Sequence, residues 1–225
     1  MVDFTQMKSF GQDPLILERG EGIRVTDVFG KTYIDGLSGV FTVNLGHGLQ
    51  EIVDIAAEQA RQISFTAPTM ATNPPALRFA DYLIGITPPQ YSTVKFFTGG
   101  SEANESAFKF ARQYFKLTGH PNKYKIVSRY FGYHGGTFGG MSASGTGPRK
   151  TQFEPQMGGF LKVFPPTFYR DRFASWEEAN RFAAEAFEDV IVAEDPATVA
   201  AVILEPIGNT GGIITPTDEY FRIVR

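Results

Sequence analysis

The chain has 225 residues, a formal net charge of −3 at pH 7 and no cysteine. Its 42% hydrophobic content, with 21 Phe and 9 Tyr, excludes a disordered chain and predicts a globular protein with a substantial core. The missing cysteines exclude disulfides and thiolate metal sites, and the lack of a basic face argues against nucleic acid as a partner.

Nothing in the sequence predicts a membrane segment or a secretory leader. No run of about 18 apolar residues occurs, and the start M-V-D-F-T-Q-M-K lacks the apolar core and cleavage site of a signal peptide. The absence of cysteine fits a reducing compartment. We therefore expect a soluble cytoplasmic protein that does not bind membranes.

The N-terminal part of the chain has the signals of a small unit. Residues 1–20 are expected to form an extended lead-in, and residues 23–26 and 31–35 predict a β-hairpin with Gly30 in its turn. Segment 36–48 contains several glycines but is too apolar for a solvated loop. Residues 49–63 have the periodicity of an amphipathic helix. Because residues 64–73 are polar and contain a proline, we place the domain boundary here, with domains at 1–66 and 67–225.

In the second domain, predicted strands alternate with predicted helices. Asn73 followed by Pro74 indicates the start of a helix, and Ser175 with Glu178 forms a capping box for another that ends near residue 191. Strands are predicted over 93–98, 124–128, 161–164 and 199–204, with a long helix after the first. This alternation predicts an α/β fold with a mostly parallel sheet covered by helices on both faces.

Gly99, Gly100 and Ser101 form the predicted turn between the first of these strands and its helix. The glycines allow the backbone to turn sharply and approach a ligand, and serine is a favoured N-cap. The N–H groups at a helix start carry partial positive charge, which is the chemistry of a phosphate site. An ordinary turn before a helix has the same pattern, so both interpretations stay open.

Two further segments have residues typical of ligand sites. The loop at 129–140 has five glycines in twelve residues, and Tyr133 could stack on a planar ring or pack against its own loop. His134 could donate to a ligand or hold the loop. Glu205 follows an apolar strand, where its carboxylate needs an arginine or a ligand as partner. Since ligands of parallel sheets bind at the carboxyl ends of strands, a common site is favoured.

Several other site classes lack their signatures. The three histidines have no H-x-x-x-H spacing, so no metal site is expected. The sequence contains neither a phosphate loop of the G-x-x-x-x-G-K-[ST] type nor a G-x-S-x-G nucleophile turn.

Four motifs together resemble one known family. They are D-G-L-S-G-V-F-T-V-N-L-G-H-G (35–48), T-G-G-S-E-A-N-E-S-A (98–107), R-Y-F-G-Y-H-G-G-T (129–137) and A-V-I-L-E-P-I-G-N-T-G-G (201–212). In order and spacing they resemble the class III pyridoxal-phosphate-dependent aminotransferases, including ω-transaminases, from about residue 19 onward. The resemblance implies the fold-type-I architecture: a large α/β domain, a small α+β domain built from both chain ends, and a homodimer with active sites at the subunit interface.

The resemblance also implies roles for individual residues. Gly99, Gly100 and Ser101 would form the turn that binds the phosphate of pyridoxal 5'-phosphate, although many members have serine where this chain has Gly99. Tyr133 would stack on the pyridine ring, and His134 would belong to the same wall of the site.

The resemblance implies roles for two more residues. Glu205 would lie beside the cofactor and help to position it or a substrate-binding arginine, and Phe41 matches an aromatic position that lines the substrate pocket of ω-transaminases. The family's Schiff-base lysine and the Asp that pairs with the pyridine nitrogen are expected beyond Arg225. The resemblance therefore places no catalytic residue in this chain, and we expect an N-terminal portion that is inactive alone.

The implied activity is transfer of an amino group from an amine or ω-amino acid to a keto acid through pyridoxal 5'-phosphate. Both partners in this reaction are small molecules. Decarboxylases, aminomutases and racemases of the same family use the same cofactor site, so these activities stay open. If the natural chain ends at Arg225, the alternative is a non-catalytic module that binds a phosphate ligand or an interaction partner.

Overall fold

The computed structural model describes residues 15–167 and 173–225. The chain divides into two compact units, Met1–Val94 and Lys95–Arg225. The assignment of 1–66 and 67–225 to two domains stays a prediction.

The first unit contains a three-stranded antiparallel sheet in the order β1-β2-β3. Its strands are β1 (Leu17–Glu21), β2 (Arg24–Asp27) and β3 (Thr32–Ile34). The predicted hairpin is confirmed as β2 and β3, and Gly30 in its turn has a φ of 84°, which glycine adopts without steric cost. Part of the predicted lead-in is strand β1, and residues 1–14 lie outside the described residues.

Two helices follow in this unit, α1 (Gln50–Gln62) and α2 (Pro74–Ile86). The predicted cap of α2 is confirmed, because Asn73 Oδ1 accepts a hydrogen bond from the N–H of Ala76 at 3.0 Å. Proline at the first helical position needs no hydrogen-bond acceptor for its nitrogen.

The second unit is built on a parallel sheet in the order β5-β4-β6. Its strands are β4 (Lys125–Arg129), β5 (Phe160–Val163) and β6 (Val199–Val202). Because parallel neighbours need a crossover connection, helices lie between them in the sequence. The predicted α/β class is confirmed.

The helices of this unit are α3 (Gly100–Leu117), α4 (Phe138–Ala143), α5 (Gly147–Lys150), α6 (Trp176–Ala193) and α7 (Asp218–Val224), with a 3₁₀ turn at Thr151–Phe153. The capping box of α6 is confirmed: Ser175 Oγ accepts the N–H of Glu178 at 3.1 Å. None of the helices in the described ranges is long and apolar enough to cross a bilayer.

Strand β4 separates two apolar cores. Ile126 packs with Phe108 of α3 and Ala143 of α4, whereas Val127 packs with Phe187 of α6. Successive side chains of a strand point to opposite faces of the sheet. Helices therefore cover both faces, as the alternating pattern predicts.

One predicted element is wrong. Residues 93–98 have the composition of a buried strand, but they form none of the strands in the described part of the chain. Phe96 and Phe97 are 44% and 36% exposed. A strand depends on a neighbour for its backbone hydrogen bonds, and local composition does not supply one.

Candidate functional site

The glycine turn is the N-terminus of α3. Gly99 is the N-cap, in an extended conformation and without a side-chain cap, so the first N–H groups of the helix lack both an intrahelical acceptor and a capping oxygen. A Cβ added to Gly100 would meet no atom within 4 Å, which means that open space lies beside the turn. The prediction that Ser101 caps this helix is wrong, because Ser101 lies inside the first turn.

Many members of the resembled family have serine where this chain has Gly99, and the atoms around Gly99 show what a side chain there would contact. A Cβ at this position would lie 3.2 Å from Oε2 of Glu102. That carboxylate oxygen already accepts a hydrogen bond from the Thr98 hydroxyl at 2.6 Å. Glycine at this position therefore leaves room for the Thr98–Glu102 contact.

Polar side chains of α3 hold the loop that contains Tyr133. Ser101 Oγ accepts a hydrogen bond from the N–H of Gly136 at 3.0 Å. Asn104 Nδ2 donates to the backbone carbonyl of His134 at 2.9 Å. Ser101 is thus occupied by the loop rather than by its own helix, which explains why it is not the N-cap.

Glu105 makes a third contact from the same face of α3. Its Oε1 accepts hydrogen bonds from the N–H groups of Gly139 and Gly140, at 2.8 and 3.1 Å. Residues 101, 104 and 105 share one helix face because side chains three and four residues apart are neighbours. Sequence reasoning identified Ser101 and missed Asn104 and Glu105, although their spacing in S-E-A-N-E was a usable signal.

Tyr133 and His134 differ sharply in burial. Tyr133 is 47% exposed and His134 only 5%. The N–H of His134 donates to Ser144 Oγ at 2.8 Å. Burial, with the cations Lys162 and Arg129 nearby, lowers the pKa of His134 from 6.5 to about 4, so its ring is neutral at pH 7.

Glu205 links strand β6 to this loop. Its Oε2 accepts a hydrogen bond from the N–H of Tyr133 at 3.1 Å. The buried Arg129 donates to the backbone carbonyl of Glu205. Burial raises the pKa of the Glu205 carboxyl, and the Tyr133 N–H and the Arg129 charge oppose this rise only in part. Sequence reasoning did not single out Arg129, which ends β4.

Gly132 lies close to the side chains of His134 and Glu205. A Cβ at this position would be 3.3 Å from Nε2 of His134 and 3.5 Å from Oε2 of Glu205. The structure therefore brings Ser101, Tyr133, His134 and Glu205 together around residues 132–136, beyond the carboxyl ends of β4 and β6.

Phe41 belongs to the first unit, where it ends an unusual turn. Residues Ser38–Phe41 all have left-handed backbone angles, with φ of 51°, 57°, 60° and 65°. Such angles cost roughly 1–2 kcal/mol for each non-glycine residue. Asp35 supports the turn by accepting the N–H of Gly39 at 2.9 Å, and its carboxylate also lies 2.9 Å from Nε2 of His47.

The second-unit site contains groups that could hold a phosphorylated planar ligand. The helix start offers N–H groups to an anion, and a Cβ at Gly136, as at Gly100, would meet no atom within 4 Å. Tyr133 supplies an exposed aromatic ring and Glu205 a nearby carboxylate. No group of His, Cys, Asp and Glu suited to a metal ion occurs among the residues that the structure describes.

Comparisons with known proteins agree on one family. The sequence model of class III aminotransferases matches residues 7–225. A probable aminotransferase of Mycobacterium tuberculosis is 41% identical over 215 residues, which cover 95% of this chain and 46% of the relative. A taurine–pyruvate aminotransferase of Bilophila wadsworthia is 40% identical over 222 residues, or 98% of this chain and 48% of the relative.

A solved structure has the same fold. An amine transaminase from an uncultivated Pseudomonas species, determined with pyridoxal phosphate bound, matches with a TM-score of 0.90 and 29% identity. The match covers 96% of this chain and 50% of that one. The chain thus spans about half the length of the curated relatives and of the solved structure that it matches.

Proposed function

This chain belongs to the class III aminotransferase family, and from that premise we propose that the protein containing it transfers an amino group from an amine or ω-amino acid to a keto acid. The observation that carries the proposal is the hydrogen-bonded connection of the α3 N-terminus, the Tyr133 loop and Glu205. These are the three elements that a pyridoxal 5'-phosphate site of this family would need from this part of the chain.

The residues present fit the cofactor as follows. The N–H groups of Gly100 and Ser101, at the turn begun by Gly99, would bind the phosphate, and the Ser101 hydroxyl can donate to it while accepting from Gly136. The exposed ring of Tyr133 would stack on the pyridine. When bound, the cofactor supplies the electron sink for amino transfer.

Two buried or partly buried groups would shape the electrostatics of the site. His134, neutral at pH 7, would form part of the wall and add no charge beside the ring. The Glu205 carboxylate would hold the Tyr133 backbone in place and lie next to the cofactor or a substrate-binding arginine.

The names of relatives support a class of substrates. The Bilophila wadsworthia relative is a taurine–pyruvate aminotransferase, so we propose a primary amine or ω-amino acid as donor and a small keto acid such as pyruvate as acceptor. Phe41 would line the substrate pocket. We further propose a homodimer in the cytoplasm, where a chain without cysteine is at no disadvantage.

The experiment that tests this proposal uses the intact protein that contains this chain. Incubation with an amine donor alone should change the absorption of the bound cofactor, and later addition of pyruvate should reverse the change and form alanine. The same incubations with pyruvate omitted serve as control. Release of carbon dioxide, or inversion of the donor without consumption of keto acid, would instead indicate a decarboxylase or a racemase. Binding of cofactor without any of these reactions would indicate a non-catalytic module.

A further inference from the structure

Helix α4 is held at both ends by ionisable side chains from other elements. At its start, Glu105 of α3 accepts the N–H groups of Gly139 and Gly140. At its end, Lys162 of β5 donates from Nζ to the carbonyl oxygen of Ser142 at 2.7 Å. A carboxylate acceptor near the start and an amine donor near the end both match the helix dipole.

Lys162 also ties this contact to the sheet. Its Nζ donates to Ser128 Oγ at 2.7 Å, and Ser128 is its register partner on the neighbouring strand β4. Burial, with Lys150 nearby, lowers the pKa of Lys162 from 10.5 to about 7. A lysine is costly in such a place unless its donors are satisfied, and here two acceptors meet it.

The position of α4 determines the position of the loop that precedes it. A Cβ at Gly140 would lie 2.9 Å from the carbonyl oxygen of His134 and 3.0 Å from the Cα of Gly135. The first turn of α4 therefore packs directly on the backbone beside Tyr133. A shift of α4 towards this loop would displace the loop, since close-packed backbones leave little room between them.

We propose that Glu105 and Lys162 are positioning residues that fix the two ends of α4 and thereby set the place of Tyr133 and His134 in the cofactor site. Neither side chain needs to touch the cofactor. The effect on cofactor binding rests on the proposed function, whereas the effect on the loop does not.

The chain offers a matched control for Lys162. Lys125 also extends from a strand of the same sheet to a helix end, where its Nζ meets the carbonyl oxygen and the carboxylate of Glu194 at 2.9 and 2.8 Å. It lies at the first residue of β4, whereas the Tyr133 loop follows the last. Replacement of Lys125 should lower the stability of the protein without changing the position of the Tyr133 loop.

The test compares Lys162→Met, Lys162→Arg and Lys125→Met in the intact protein. Hydrogen exchange would be followed over residues 132–143, together with the thermal midpoint and the affinity for pyridoxal 5'-phosphate. We expect Lys162→Met to speed exchange in this segment and to weaken cofactor binding about tenfold, because the hydrogen bonds from Lys162 Nζ to Ser142 and Ser128 are lost. Lys162→Arg should recover part of both, and Lys125→Met should lower only the thermal midpoint.

Glu105→Gln provides a second, milder variant that keeps an acceptor oxygen. It should change exchange over residues 132–143 in the same direction as Lys162→Met, but less. The positioning role is overturned if both variants leave this exchange and the cofactor affinity as in the parent protein. Failure of the parent protein to bind pyridoxal 5'-phosphate would instead overturn the proposed function, and the exchange data would still decide whether the two residues hold the loop.

Discussion

The Glu205 carboxylate accepts a hydrogen bond from the backbone N–H of Tyr133 at 3.1 Å, across 72 residues of sequence. Glu205, which lies shortly after β6, thus fixes the loop that follows β4. The bond uses the backbone of Tyr133 and leaves its ring exposed. The Glu205 carboxylate therefore acts on Tyr133 through its backbone N–H.

Replacement of Glu205 by Ala should loosen this loop. The N–H of Tyr133 would lose its acceptor, and we expect a loss of about 1 kcal/mol in unfolding free energy, together with weaker binding of pyridoxal 5'-phosphate. Glu205→Gln keeps an acceptor oxygen and should lose less. Denaturant unfolding and cofactor titration measure both effects, with exposed Glu188→Gln as control. Equal values for Glu205→Ala and this control would contradict the prediction.

Ser101→Ala tests the phosphate turn. The variant removes the acceptor of the Gly136 N–H and one hydroxyl donor, so affinity for pyridoxal 5'-phosphate should fall about tenfold. Ser175→Ala is the matched control, since it removes the N-cap of α6 and should cost about 1 kcal/mol of stability without changing this affinity. Calorimetric titration measures the cofactor affinity of both variants. An unchanged affinity in Ser101→Ala would remove this residue from the proposed site.

Two adjacent glycines should respond differently to alanine. A Cβ at Gly135 would lie 2.7 Å from Ser101 Oγ and 3.0 Å from Ser101 Cα, and its φ is 132°. We expect Gly135→Ala to lower the unfolding free energy by about 2 kcal/mol or more. At Gly136 the added Cβ meets no atom within 4 Å, so Gly136→Ala should stay within about 0.5 kcal/mol. Thermal unfolding of the two variants measures these losses in stability. A loss at Gly135→Ala as small as that at Gly136→Ala would show that the loop is less closely packed on α3.

His134 should make stability depend on pH below neutrality. Its pKa is about 4 in the folded protein against an ordinary 6.5, with Lys162 and Arg129 among the causes, so the unfolded chain binds the proton more readily. The resulting stability is fully present above about pH 6.5 and falls as the pH decreases towards 4, by about 3 kcal/mol at most. The variant His134→Asn should lack this part of the slope, whereas exposed His120→Asn should retain it. Denaturant unfolding between pH 4 and 7 measures the difference, and equal slopes in all three proteins would refute it.

Val40 tests the left-handed turn that ends at Phe41. Val40 has a φ of 60° and is 64% exposed, so glycine would relieve backbone strain while little apolar burial is lost. We expect Val40→Gly to raise the unfolding free energy by about 0.5 kcal/mol, after the entropic cost of glycine. Val28→Gly, at an exposed valine without a left-handed φ, should lower it. Thermal unfolding of both variants decides, and destabilisation by Val40→Gly would show that its side chain matters more than the strain.

Much of the fold could be predicted because its signals are local. The caps at Asn73 and Ser175 depend on residues within the same turn, and both are present in the structure. The strand predicted over residues 93–98 is wrong because pairing depends on a neighbour that no local pattern supplies. The Ser101 cap is wrong for a related reason, since the hydroxyl is bound by Gly136, 35 residues away.

The sequence by itself determined the family, the alternation of strands and helices, and which segments carry glycines, aromatics and a carboxylate suited to a cofactor. Only the tertiary structure decided that Asn104 and Glu105 hold the Tyr133 loop and that Lys162 bridges β4 and α4. The physical reason is that each of these contacts joins residues 20 or more positions apart. Such contacts exist only once helices have packed on the sheet, because packing and not local propensity brings donor and acceptor within bonding distance.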